Sequence, residues 1–435
     1  MKRRYFFFIL AAILILPLLT TSAAPRPLHA ATAVLLADLE TGDILYAHNE
    51  HQQVFPASTT KIMTALLAVE ALERGEFTIS DLLVTTQAAL DDMIETGARI
   101  GLEVGEEMTF ESLMYAMMLV SANDATNVLA EHIGGTIPNF VRMMNERAAQ
   151  LGARNTNFEN THGLPNELQV TTAYDMFRIS HAAWRLPRFV ELASAADRAH
   201  AATEYREAGL FVTTNHMIRP DSPQYHEAVT GGKTGFTNAA GFNLVSTAAV
   251  EDVSLLAVVL NVFADENGNG SMNHFTETAA IYDWAFATFS HQEILTIAEI
   301  TRIPVLMGEG ADSVGVRPAE TMYALLPSYI PPDAMKQDIQ LYSEELTAPI
   351  SQGDIVGRIT LRYGDRAFGT VPLLATTSVA LSRVEYMQET LRDTFELTWV
   401  RIVIIIFILL FLLYIIYIIH HSVVRRRRRR ARMRK

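Results

Sequence analysis

The chain has 435 residues, enough for about two to three domains, and 49% of them are hydrophobic. It has no cysteine, which excludes disulfides, thiolate catalysis and cysteine metal sites. The formal net charge is −13, but nine basic residues lie within 425–435 and three at positions 2–4, so the stretch between carries about −25. So acidic a body argues against nucleic acid and teichoic acid as partners.

Read in chain order, Lys2-Arg3-Arg4 precede an apolar run over 5–19 and small residues at Ala23-Ala24 and Ala30-Ala31. This pattern predicts a secretory signal peptide over 1–30, cleaved at about 24–31. An exported chain without cysteine fits a wall-associated bacterial protein better than a disulfide-stapled extracellular module. A strand over 33–38, a Thr41-Gly42 turn and a strand over 44–47 follow. Pro56 suits a helix start, placing Ser58 in the first turn of a helix that carries Met63, Leu66, Leu67 and Ala71 at helical spacing. Helical periodicity dominates 108–192, where Met114, Met117 and Met118 read as helix core, and one helix covers 125–133. Strands return over 242–248 and 253–262, the second so continuously apolar that it is expected to be buried, and a helix over 276–289 closes a domain spanning 31–292.

Beyond 293 the character changes. Short β-like runs at 303–306, 314–316, 321–325, 355–363 and 367–371 alternate with Gly and Pro turns, predicting a small β-rich domain over 293–381. A linker helix over 382–398 leads into 399–419, apolar apart from Arg401 and about 31 Å long as a helix, the thickness of a bilayer core. Trp399, Tyr414 and Tyr417 stand where interfacial aromatics are expected, and the Arg425–Arg430 run predicts that the tail, 420–435, is cytoplasmic and the body extracellular. The arginine run directly after a span reads as a stop-transfer signal in contact with anionic lipid, not as a nucleic-acid site.

Three short motifs carry chemistry: Ser58-Thr59-Thr60-Lys61, Ser121-Ala122-Asn123 and Lys233-Thr234-Gly235. Ser58 and Lys61, three apart on a helix, share a face about 5–6 Å apart between Cβ atoms. A serine hydroxyl attacks only when a base takes its proton, and lysine serves only where burial or a neighbouring cation depresses its pKa. Alone, S-x-x-K is expected about twice by chance in a chain this long, and in isolation a helix cap with a solvated lysine is the better reading. Ser121-Ala122-Asn123 read alone is a turn before a helix. Lys233-Thr234-Gly235 has a chance expectation of about 0.1 and sits ahead of a buried strand. There the glycine permits close approach of a backbone, and the lysine and threonine offer a charge and a hydroxyl to a carboxylate.

In this order, and with Asn160-Thr161-His162-Gly163-Leu164-Pro165, Thr172-Ala173-Tyr174-Asp175 and Phe236-Thr237 around them, the motifs resemble one family. The chain resembles the serine-type D-alanyl-D-alanine carboxypeptidases among the low-molecular-mass penicillin-binding proteins, over roughly residues 32 to 375. The resemblance implies an α/β (α+β) transpeptidase or β-lactamase-like domain followed by a small β-rich domain. It implies Ser58 as the acylated nucleophile, Lys61 as its base, and Ser121 and Asn123 as proton relay and substrate-amide holders. Lys233 and Thr234 would hold the terminal carboxylate, and Gly235 and Phe236 would line the same strand edge. Backbone N–H groups of Ser58 and Phe236 would form the oxyanion hole. The implied ligands are peptidoglycan stem peptides ending in D-Ala-D-Ala and β-lactam antibiotics, with no metal or cofactor. Thr230 departs from the pattern, standing where many relatives carry Asp, and a full membrane span replaces the amphipathic helix of many relatives.

Two other functions share parts of this pattern. A β-lactamase needs a glutamate-held water for rapid deacylation, which Glu167 superficially offers, although Ala122 stands in place of the Asp of S-D-N. A non-catalytic wall-binding scaffold would have no need of Ser58, Lys61, Ser121 and Lys233 together. Asp265 to Gly270 begins like a calcium loop, but its twelfth position is Thr276, so a polar surface loop is expected. His162 reads as part of a structural turn.

Overall fold

The computed structural model describes residues 31–91, 97–263, 273–364 and 366–432. The predicted signal peptide and the loop at 265–270 lie outside the described residues. The chain divides into two compact units, Met1–His291 with Leu325–Tyr329 and Gln292–Ala324 with Ile330–Lys435.

The first unit is organised by a five-stranded sheet. Its strands are β1 (Ala33–Asp38), β2 (Ile44–His48), β3 (Val229–Thr237), β4 (Gly241–Val250) and β5 (Val253–Val262). They lie in the order β2-β1-β5-β4-β3, each neighbouring pair antiparallel, so the first strand pairs with the last across more than two hundred residues. Side chains alternate strictly between two cores. Leu35, Leu256, Val258 and Leu260 face a large helical cluster, whereas Leu36, Leu255, Ala257 and Val259 face a smaller one. The unbroken apolar run of β5 follows from this arrangement, because helices cover both faces of the sheet and leave the strand no polar side.

The larger cluster is built by α1 (Lys61–Glu73), α2 (Phe110–Leu119), α3 (Asn123–Gly134), α4 (Ile137–Gln150), α5 (Ala173–Trp184) and α6 (Pro187–Ser194). α1 is apolar around its circumference and buried from Lys61 through Val69, as a helix without a polar face must be. Threonine side chains cap the starts of α2, α4 and α5: Thr109 accepts from Ser112, Thr136 from Asn139 and Thr172 from Asp175. On the other face α7 (Asn273–Thr288) packs Phe275, Ile281, Tyr282 and Ala285 into the smaller core. One expectation fails locally. Ser58 is not in the first turn of an α-helix but in a separate 3₁₀ turn, Ala57–Thr60, and the α-helix begins at Lys61. Ala57 has φ +46°, which re-aims the chain so that Ser58 enters the cleft while Lys61 enters the core.

The second unit holds a six-stranded sheet. It contains β6 (Thr301–Leu306), β7 (Ser313–Pro318), β8 (Lys336–Leu341), β9 (Leu346–Thr347), β10 (Ile355–Tyr363) and β11 (Arg366–Ala375), ordered β8-β10-β11-β7-β6-β9. One face carries the core, through Ile303, Val314, Val316, Ile359, Leu361, Val371 and Leu373. Two helices follow: α8 (Arg383–Glu396), capped by Ser382 accepting from the Glu385 N–H, and α9 (Thr398–Arg432). Within α9, Thr398–Arg427 is long and apolar enough to cross a membrane.

Tyr282 ties α7 to the sheet: its hydroxyl donates to the Ser246 carbonyl at 2.6 Å and lies 3.0 Å from Ser246 Oγ, both fully buried. Tyr282→Phe removes both contacts with Ser246, so chemical denaturation is expected to show a loss of about 1–2 kcal/mol.

Candidate active site

All three motifs converge on one cleft of about 280 Å³, lined by Ser58, Ser121, Thr214, Thr234 and Gly235 with an aromatic and imidazole wall beyond them. Lys61 is fully buried and has three oxygen neighbours. Its Nζ lies 2.7 Å from Asn123 Oδ1, 2.7 Å from the His162 carbonyl and 3.1 Å from Ser58 Oγ. The first two are acceptors only. A neutral lysine has two N–H bonds, and those two oxygens consume both. The remaining lone pair faces Ser58, the one neighbour with a proton to give. Burial holds the Lys61 pKa well below its ordinary value, the positive charge of Lys233 lowers it further, and Asp124 partly opposes both.

Lys233 is buried too, and burial lowers its pKa to about 7. Its Nζ donates to the Thr234 carbonyl at 3.0 Å and lies 3.1 Å from Ser121 Oγ. Ser121 sits in the left-handed region at φ +62°, turning its hydroxyl into the cleft ahead of α3. Thr234 Oγ1 pairs with Thr214 Oγ1 at 2.6 Å on the cleft surface. A hydroxyl with an adjacent amine whose pKa is lowered by burial, and a second hydroxyl beside a second amine, form the equipment of an acyl-transfer site.

A family profile described as D-alanyl-D-alanine carboxypeptidase matches residues 20–264, and one described as penicillin-binding protein 5, C-terminal domain, matches residues 298–380. The chain belongs to the D-alanyl-D-alanine carboxypeptidase family. D-alanyl-D-alanine carboxypeptidase DacD of Escherichia coli is 30% identical over 365 residues, 82% of this chain and 89% of that protein. DacF of Bacillus subtilis is 28% identical over 348 residues, 80% of this chain and 85% of that protein. The crystal structure of penicillin-binding protein 5 from Haemophilus influenzae superposes with a TM-score of 0.65 at 28% identity, covering 82% of this chain and all of that one. The fold is thus the transpeptidase-like fold with a β-rich C-terminal domain.

Within this carboxypeptidase fold, two glycines are required by contact. A Cβ on Gly235 would lie 2.9 Å from the Ser58 nitrogen and 3.0 Å from that of Thr59, so β3 passes directly against the nucleophile turn. A Cβ on Gly163, whose φ is +96°, would lie 1.8 Å from the Ala57 carbonyl oxygen. The carbonyls that precede the nucleophile are held from β4, where Asn243 Nδ2 donates to Phe55 O and Pro56 O, both at 3.0 Å, and Oδ1 accepts from the Asn261 N–H. Asp124 accepts from the N–H groups of Ile100, Gly101 and Leu102, fixing a segment whose Ala98 carbonyl accepts from Asn123 N.

All eight sequence-predicted site residues lie together at this cleft and the strand that edges it. Several neighbours escaped the sequence. The His162 carbonyl had no signal, because a main-chain acceptor leaves no mark on residue type. Asn243, Thr214, His216 and His274 reach the site or its wall from outside the motifs. Burial lowers the His274 pKa to about 4, assisted by His216. Thr230, at the position of the usual Asp, pairs its hydroxyl with Thr247 at 2.7 Å across to β4. Glu167 is exposed, and among the described residues it makes no direct hydrogen bond to Ser58 or Lys61.

Gly163→Ala forces the Ala57 carbonyl, and with it Ser58, to move. The expected result is a loss of about 2 kcal/mol or more in denaturation and slowed covalent labelling by a fluorescent penicillin. Labelling at the native rate would show that the turn tolerates the displacement.

Proposed function

We propose that the chain removes the terminal D-alanine from peptidoglycan stem peptides through an acyl-enzyme on Ser58, and that β-lactams acylate the same oxygen. The observation that carries this reading is the lone pair of buried Lys61, directed at Ser58 because its two N–H bonds are occupied by Asn123 and the His162 carbonyl. Ser58 Oγ gives its proton to Lys61 Nζ as it attacks the amide carbonyl. The backbone N–H groups of Ser58 and Phe236 hold the oxyanion, the largest electrostatic contribution expected in acyl transfer. Asn123 holds the substrate amide. Ser121, beside Lys233, delivers a proton to the departing nitrogen and is recharged by the proton that Lys61 took from Ser58, so D-alanine leaves as a neutral amine and Lys61 returns to its neutral form. Water then loses a proton to Lys61 as it attacks the ester, and Lys61 returns that proton to Ser58 Oγ as the ester breaks. The Thr234 and Thr214 hydroxyls meet the terminal carboxylate on the cleft surface, with the Lys233 charge behind them.

The same proposal covers organisation in the envelope. Residues 1–30 act as the export signal, 31–292 as the catalytic domain, 293–381 as a β-rich spacer and 382–398 as a linking helix. Residues 399–419 cross the cell membrane once, leaving the catalytic domain outside and the basic tail, 420–435, in the cytoplasm against anionic lipid.

Incubation with a stem pentapeptide is expected to release one D-alanine, and a labelled penicillin to form a stable adduct that peptide mapping finds on Ser58. Lys61→Ala is expected to lose acylation nearly as fully as Ser58→Ala, with the double variant no worse, since the two act as a unit. An adduct on another residue, or rapid turnover of the drug, would overturn the assignment.

The pH dependence carries a sign. Lys61 must be neutral to accept the proton, so acylation falls as pH drops through its depressed pKa. The Lys233 charge contributes to that depression. Lys233→Gln therefore raises the Lys61 pKa and moves the acid limb of kcat/KM for penicillin acylation to higher pH; a limb that stays in place contradicts the coupling.

A further inference from the structure

The β-rich unit sorts its charges. Residues 293–381 hold eleven Asp and Glu against six Lys and Arg, a balance of −5. On the strands of the six-stranded sheet the balance reverses. Those strands carry all six basic residues, and Asp338 is the one acidic residue on them.

Register then gathers five of the six on one face. Partners in antiparallel strands share a face, as do residues two apart along a strand. Lys336 pairs with Arg362, Asp338 with Thr360 and Gln340 with Arg358. Arg358 also pairs with Pro372, two residues from Leu374, which is the partner of Arg317. Arg302 pairs with Gly315, two residues before Arg317. Two cross-strand hydrogen bonds lie on this face: Arg358 Nε donates to Gln340 Oε1 at 2.9 Å, and the Thr360 and Thr370 hydroxyls lie 2.8 Å apart. The opposite face is the core, through Ile303, Ile359 and Val371.

Arg302 is paired with Glu299 at 3.1 Å, whereas Arg317, Lys336, Arg358 and Arg362 have no ion pair among the described residues. Lys336 and Arg362 are exposed and directly opposite, a like-charge pair that destabilises a sheet. Folding alone gives no reason to keep it. The five cations spread across five strands, about 19 Å at ~4.8 Å per strand, with Arg358 and Arg362 about 13 Å apart along β10. A single phosphate would need cations that converge on a point. A flat, spread set complements a planar array of negative charge.

With 399–419 crossing the membrane as proposed, on which this inference rests, the bilayer is the planar surface tethered to this unit, and docking on it is effectively intramolecular. At physiological ionic strength the screening length is about 8 Å, so the charges of the face outweigh the acidity of the rest of the chain. Standing on end, the 14-residue α8 would span about 21 Å, too far for that attraction to act, so docking requires the unit to lie down. We propose that this face docks the β-rich unit on the outer leaflet by binding anionic phospholipid headgroups, so that lipid charge sets how far the unit stands from the membrane.

Because the chain has no cysteine, Thr360→Cys places a single thiol at the centre of the face. The full chain, carrying a fluorophore there, is placed in nanodiscs of phosphatidylcholine alone or mixed with phosphatidylglycerol, both containing a nitroxide-headgroup lipid as quencher. Strong quenching is expected in the anionic discs and little in the zwitterionic ones. It should vanish in ~1 M salt, where the screening length falls to about 3 Å. Each cation near an anionic surface is worth about five-fold in the docked-to-free ratio, so Lys336→Gln with Arg358→Gln and Arg362→Gln should lower that ratio about a hundred-fold. The lipid and salt comparisons need no charge variant, so misfolding of the triple variant cannot hide the result. Equal quenching in both discs, or quenching that survives the three substitutions, overturns the docking face. A response to soluble polyphosphate with none to phosphatidylglycerol also overturns it, assigning the face to a soluble polyanion. A chain that fails to enter the discs at all overturns the membrane span and the docking together.

Discussion

The catalytic arrangement depends on one hydrogen-bond count at a buried amine. A lysine in water is protonated and symmetrical, with nothing to aim. Lys61 is enclosed on all sides, which favours the neutral form, and the two acceptors at 2.7 Å leave it one direction in which to act. The base is oriented by what it donates to. Asn123, from the start of α3, and the carbonyl of His162, from the loop before α5, come from parts of the chain far apart in sequence, so the orientation exists only when three segments have met.

That meeting imposes strict limits on backbone spacing. Gly235 brings β3 against the nitrogens of Ser58 and Thr59, and Gly163 brings the His162 loop against the Ala57 carbonyl. Two non-glycine residues, Ala57 and Ser121, adopt left-handed φ values beside these contacts, each costing about 1–3 kcal/mol. Both immediately precede or supply a working hydroxyl. The surrounding hydrogen bonds, from Asn243 to the carbonyls of Phe55 and Pro56 and from the 97–102 segment to Asp124, are what hold such conformations in place.

The sheet supplies the rigidity behind the site. β5 is buried on both faces and pairs with β1 on one side and β4 on the other, so the edge strand β3 is backed by four further strands and by helices above and below. An edge strand is open to pairing with an extended peptide, and β3 presents that edge to the cleft with a lysine, a threonine and a glycine in succession. Two buried lysines near one another would be a liability in a structural core. Here burial lowers both pKa values, which suits the role of base proposed for Lys61.

Much was legible in the sequence alone. The strand over 33–38, the apolar run of 253–262 and the membrane-length helix needed only short apolar runs bounded by a turn, unbroken hydrophobicity and length, which are local properties. The three motifs picked out the side chains that the fold gathers at the cleft, because hydroxyls, amines and glycines at fixed spacing are visible in residue type. Tertiary structure decided the rest. Helical spacing predicted Ser58 in an α-helix, but packing of β3 and the Gly163 loop against the turn sets it in a 3₁₀ segment ahead of α1. The orientation of Lys61 rests on a main-chain carbonyl, which has no sequence signature, and on the displacement of water, which no single segment accomplishes. Residue type determined which groups were present. Only the meeting of distant segments decided which amine is buried and which oxygens it faces.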